Sequence, residues 1–262
     1  MASELSPNHN TLLHVFCATN MRFSNTVLDS CNVGYYGASK AESGYYLVTP
    51  MFEKTGGGPI MMKDIVPTTT DPSGVKGGDF QIALIDNDRN PAGTYQWKPY
   101  SSRFGVTTLA GWYDFTTDRL ATNETDVIDF TMGVMLYSKK QVTLTFAGQV
   151  MTAEPHFDIS AAGYYRCGNI MPIDVSITNI VPVATEIKGG DFQISTYDKD
   201  RGPLRTWQWK PYSSRFGVTT LAGWYDFNTD KLETEKIFTP GEGFVLYTKK
   251  AVSITFPSID AK

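Results

Sequence analysis

The chain has 262 residues, 41% of them hydrophobic and 19% charged, with a formal net charge of −4. That length buries one large core or two of about 100 residues, and the acidic balance leaves no basic field to hold a phosphate backbone, which argues against nucleic acid as a partner. No apolar run approaches the roughly 18 residues of a membrane span, and abundant Gly, Thr, Tyr and Phe without a sustained 3.6-residue apolar period predict strands rather than helices.

The start, MASELSPNHN, lacks the basic and then apolar regions of a signal peptide. Together with the richness in Tyr, Thr and Asn, this favours a mature extracellular or cell-surface protein whose signal has been removed, over a cytoplasmic one. Residues 1–41 have no counterpart later in the chain and read as an extension. Within it TLLHVFC is an apolar run of strand length, made of Thr11, Leu12, Leu13, His14, Val15, Phe16 and Cys17. A strand outside the repeated part either packs at home or adds to the sheet of another subunit, and these residues are the candidates for such strand exchange. Cys17, Cys31 and Cys167 make at most one intrachain bridge, too few for a disulfide framework, and leave one thiol over.

The rest of the chain is two copies of one unit. Residues 96–115, QWKPYSSRFGVTTLAGWYDF, return unchanged as residues 208–227, and residues 76–120 match 188–232 at 35 of 45 positions. The first unit opens at Gly44-Tyr45-Tyr46 and the second at Gly163-Tyr164-Tyr165, giving an extension over 1–41 and domains over 42–150 and 151–262, with residues 151–162 as the link. Spacers of unequal length, including the triple glycine at 56–58 and PTTTDPSG at 67–74, belong in surface loops. In GGDFQI, Phe80 and Ile82 face one side of a strand and Gln81 the other, and Phe192 and Ile194 repeat this.

Polar tips follow at 86–90 and 198–202. Asp86 with Asp88, and Asp198 with Asp200, are spaced to begin a calcium loop, but the twelfth position from Asp86 is Trp97 rather than the closing Glu, so a hairpin tip is the better reading. Short aromatic strands come next, KPYSSRFG reads as a loop, and each unit is expected to close with a hairpin: Val134 to Tyr137 against Val142 to Phe146, and Phe244 to Tyr247 against Val252 to Phe256, with a lysine pair at each turn. Six or seven strands per unit with turn signals about every ten residues predict an all-β chain of two antiparallel β-sandwich or small-barrel domains.

Reactive chemistry is not duplicated. His9, His14 and His156 lie in the extension and the link, the serine pairs have no histidine in their unit, and no His/Cys cluster has metal spacing, so neither an enzyme nor a cofactor is implied. Duplicated carboxylates exist, Asp79 with Asp191 and Asp114 with Asp226, and an acid pair serves glycoside hydrolysis, but two like active sites in one small chain are uncommon. The duplicated stretch also suits binding: Trp97, Tyr100, Arg103, Trp112 and Asp114, mirrored by Trp209, Tyr212, Arg215, Trp224 and Asp226, combine aromatic faces with donors and acceptors for a glycan or a protein surface. The same residues equally suit packing, with Trp and Tyr in the core and Arg paired to Asp.

The closing segments, GVMLYSKKQVTLTFAGQV at 133–150 and GFVLYTKKAVSITF at 243–256, with the GWYD box, resemble the repeats of secreted or cell-surface bacterial β-proteins of unassigned activity. The likeness covers both units but not the extension, and it implies an extracellular setting without a reaction. The expectation from the sequence is a structural, self-assembling subunit of a surface fibre or layer, with itself as partner. The alternative is a carbohydrate- or protein-binding module.

Overall fold

The structure, a computed structural model, describes residues 14–15, 33–40, 42–50, 60–85, 91–122, 127–128, 133–149, 155–216 and 218–258. These hold no α-helix, only antiparallel strands and three short 3-10 turns, and none of the sheets closes on itself. In the first half a five-stranded sheet runs, edge to edge, Gly111–Asp114, Pro91–Lys98, Phe80–Ile85, Val134–Ser138 and Gly44–Val48. A second sheet orders His14–Val15, Val33–Lys40, Val142–Gln149 and Val66–Thr68. The second half repeats the plan with Gly223–Asp226, Pro203–Lys210, Phe192–Tyr197, Gly243–Thr248 and Gly163–Gly168 in one sheet, and His156–Ile159, Val252–Thr255 and Val181–Val183 in the other.

Period-two alternation explains both layers. Phe80, Ile82, Val134 and Leu136 are buried from one sheet and Val142, Leu144 and Phe146 from the other, while the residues between them stay half-buried. Phe192, Ile194, Phe244 and Leu246 meet Val252, Ile254 and Phe256 in the same way, so each half has its own core. Trp112 and Trp224 are fully buried, and each indole N–H donates to a backbone carbonyl, Ile65 or Ile180, at 2.7 Å. Each is thus a filler of its core with its one polar atom satisfied.

The closing segments are not hairpins. Val134–Ser138 pairs with Gly44–Val48 and Phe80–Ile85, whereas Val142–Gln149 pairs with Val33–Lys40 and Val66–Thr68. The chain steps from one sheet to the other across residues 139–141, as it does again at 249–251. Sequence alternation reads alike in both arrangements, because it reports a buried face and not the partner strand. What turns the chain is a duplicated ion pair: the Lys140 ammonium lies 3.0 Å from the Asp79 carboxylate, and that of Lys250 lies 2.9 Å from Asp191. Each aspartate also accepts a bond from the amide of Lys76 or Lys188 at 2.9 Å. The second lysine of each pair is thus tied to the residue just before the strand Phe80–Ile85 or Phe192–Tyr197.

Two stretches expected to stand outside the repeat supply strands to it. Val33–Lys40, from the extension, pairs with Val142–Gln149, and His156–Ile159, from the link, pairs with Val252–Thr255. His14 and Val15 pair with Tyr35 and Gly34 at the outer edge of the home sheet. Thr11, Leu12, Leu13, Phe16 and Cys17 lie outside the described residues, as do Cys31, Asp86 and Asp88.

Candidate functional site

The unchanged twenty residues hold one feature that packing does not account for. Between the edge strand Gly111–Asp114 and its neighbour Pro91–Lys98, the chain runs out into a separate two-stranded ribbon, Ser101–Arg103 against Val106–Thr108. Ser213–Arg215 and Val218–Thr220 form the same ribbon in the second half. What was expected to be a loop is thus an arm built on a two-residue turn, Phe104-Gly105. Both turn residues have positive φ, 52° and 77°, the geometry that lets a tight turn follow the twist of its strands. Asn or Gly is usual at the first of these positions, because a bulky side chain there crowds the backbone. Here Phe104 takes it, and Phe216 takes it again with φ 52°.

Both phenylalanines are fully exposed, at 104% of the reference area. Tyr100, Val106 and Leu109 are exposed beside Phe104, as Tyr212, Val218 and Leu221 are beside Phe216. The base of each arm is fixed: the Tyr113 hydroxyl donates to the Leu109 carbonyl at 2.9 Å, the Lys98 ammonium lies 4.6 Å over the Tyr113 ring, and Tyr225, Leu221 and Lys210 repeat both contacts. A rigid sheet therefore presents an apolar tip to solvent, twice.

Comparison of the halves makes the arm stand out further. Buried positions have changed between them: Val48 against Cys167, Met62 against Ile177, Tyr95 against Trp207, Val134 against Phe244, Leu144 against Ile254. Residues 100–109 and 212–221, which carry these exposed tips, are identical at all ten positions. Surface loops ordinarily drift faster than cores, since exposed substitutions cost little stability. Along the arms that order does not hold, although core pairs such as Phe80 with Phe192 and Leu136 with Leu246 are unchanged as well.

The ten residues named as a binding set do not form one surface. Trp112 and Trp224 are in the cores, and Trp97 and Trp209 pack edge-on against them at centroid distances of 5.5 and 5.3 Å. Asp114 accepts bonds from the amides and hydroxyl of Thr116 and Thr117, and Asp226 from Asn228 and Thr229, so both carboxylates cap turns. Their backbone and hydroxyl donors hold the carboxyls of Asp114 and Asp226 below the usual carboxylate range. Tyr100, Arg103, Tyr212 and Arg215 are the members that reach solvent, all on or beside the arms. Asp198, the calcium candidate within the described residues, accepts from the amides of Asp200 and Gly202 at 2.9 and 2.7 Å and closes a hairpin tip. Asp200 is exposed and lies 3.5 Å from the Lys199 ammonium.

Phe104 and Phe216 were missing from the sequence-derived set. The signal for them was an x-Gly pair between SSR and VTT, two short β-type runs flanking a two-residue turn. No helix of the described residues is long and apolar enough to cross a membrane. No protein-family model matches this chain, and no curated protein matches it.

Proposed function

We infer that this chain is a structural subunit that assembles with copies of itself, through the arms at residues 100–109 and 212–221. The observation that carries the reading is a fully exposed, backbone-strained phenylalanine held in two identical arms. Folding alone does not favour Phe in that place, and contact with a partner does. A partner that engages both arms must offer two equal acceptors, and a second copy of this duplicated chain does so. Each arm leaves the Gly111–Asp114 or Gly223–Asp226 side of its five-stranded sheet, away from the strands Gly44–Val48 and Gly163–Gly168. Arms so placed favour head-to-tail contacts that grow into a fibre or layer rather than closing.

The same reading treats the chain as two homologous domains, 42–150 and 151–262, joined to an N-terminal strand-bearing extension, in an extracellular or cell-surface setting. It is a binding and not a catalytic role, supported by the duplicated carboxylates being engaged in turns and ion pairs. Light scattering and negative-stain microscopy test it. The wild-type chain is expected to form polymers with concentration, and Phe104→Asn with Phe216→Asn to remain a folded 29.1 kDa monomer. Polymers that persist in the double variant overturn the role of the arms, and a wild-type monomer at every concentration overturns self-assembly.

A further inference from the structure

A second feature lies at the junction of the two halves, far in sequence from the arms. A partly enclosed cavity of about 250 Å³ is lined by Tyr45, Gln81, Ala83, Thr94, Met135 and Tyr137 from the first half, and by Arg166 and Arg201 from the second. Its position is fixed by the backbone. The Tyr45 amide donates to the Lys199 carbonyl at 2.8 Å, which pins the turn carrying Arg201, and the Gly133 amide donates to the Arg166 carbonyl at 2.7 Å. The Arg201 guanidinium carbon sits 3.6 Å from the centre of the Tyr45 ring, and the Tyr45 and Tyr137 ring centres are 4.7 Å apart with the planes tilted by 35°. A guanidinium centred over a ring at that distance still has N–H donors to offer a ligand.

Arg166 is the anomaly. Its Nη1 is buried without a hydrogen-bond partner, and among the described residues no carboxylate pairs with Arg166 or Arg201. Burial, and then the neighbouring positive charge of Arg201, bring the Arg166 guanidinium down to about 10. A buried donor without a partner is costly, and two like charges converging on one cavity add to that cost. The matching position in the first half is Leu47, so the charge is particular to this place in the fold. An oxyanion in the cavity sets negative charge against both arginines, with the forked geometry that guanidinium groups offer to carboxylate, phosphate or sulfate.

We propose that this cavity binds a small oxyanion, with Arg166 and Arg201 holding the anionic group and Tyr137, Gln81 and Thr94 bordering whatever carries it. The volume admits a single sugar-sized ring, so sodium glucuronate serves as the organic probe, inorganic phosphate and sulfate as bare oxyanions, and glucose as the neutral control. Calorimetric titration of the full chain, at constant ionic strength with chloride, reads the result. At least one of the three anions is expected to bind saturably while glucose does not, and Arg201→Gln weakens that binding roughly tenfold to a hundredfold. Binding of glucuronate alone identifies an organic carrier, and equal binding of phosphate or sulfate identifies the bare anion. Arg201 is exposed, so its variant separates ligand binding from folding, and Arg166→Met adds the buried contact. Failure of all three anions to bind saturably at millimolar concentration, or binding that Arg201→Gln leaves unchanged, overturns the proposal.

Discussion

A phenylalanine in the left-handed region costs on the order of 1–2 kcal/mol relative to ordinary backbone, and asparagine tolerates that region better. Phe104→Asn and Phe216→Asn should therefore leave stability unchanged or raise it slightly in a denaturant titration, while abolishing assembly. Loss of stability in the double variant contradicts the account, because it makes the ring a packing residue. A second residue-scale prediction concerns Trp207, whose indole N–H donates to the Glu233 carboxylate at 3.0 Å, with Arg205 3.2 Å from the same oxygen. In the first half the matching residues are Tyr95, Ala121 and Gly93, so the three positions changed together. Glu233→Ala should destabilise the chain by about 1–3 kcal/mol by orphaning a buried donor, and adding Trp207→Tyr should recover part of the loss. The central place of the tryptophans was legible as one of two readings of the sequence. Which reading held depended on Ile65 and Ile180, whose carbonyls no local pattern points to.

At the scale of the element, the turns that carry the chain between sheets rest on Asp79 and Asp191. Burial alone would raise these carboxyls, but the amides of Lys76 and Lys188 and the ammonium groups of Lys140 and Lys250 outweigh it and hold them below the usual range. A carboxylate with a depressed folded pKa contributes its full stability above the unfolded value of about 4, and loses it as pH falls through the folded value. Denaturant midpoints measured downward from pH 5 should therefore fall for the wild type and fall less for Asp79→Asn with Asp191→Asn. Equal slopes contradict the assignment. Strand positions and buried faces were legible here, because the pleat repeats every two residues in VTLTF and VSITF. Strand partners were not: the same alternation fits a hairpin and a step between layers, and the difference lies in an ion pair spanning some sixty residues. The arm was hidden for a related reason, since KPYSSRFG carries turn residues that read as loop until the register of Arg103 with Val106 is known.

At the scale of the whole molecule, the two halves meet where the end of Gly44–Val48 approaches the start of Gly243–Thr248, through the bridge Val48 to Glu242 and the bond from the Thr49 amide to the Gly241 carbonyl at 3.0 Å. Contact is close enough that a β-carbon on Gly243 would lie 2.8 Å from the Leu47 carbonyl oxygen. Gly243→Val should cost about 1–3 kcal/mol by overpacking and split the unfolding transition, with the second core outlasting the first or the reverse. A single unaltered transition contradicts a junction of this kind. The duplication was plain in the sequence, whereas the junction joins residues as far apart as Thr49 and Gly241 and had no local signature. The central claim, that the arms are the contact between copies, is tested most directly by amide hydrogen exchange as a function of protein concentration. A two-stranded ribbon standing off the cores exchanges quickly when alone. The account predicts slowing at residues 100–109 and 212–221 as concentration rises, with the core strands unchanged. Exchange in the arms that stays fast while the protein assembles would place the contact elsewhere.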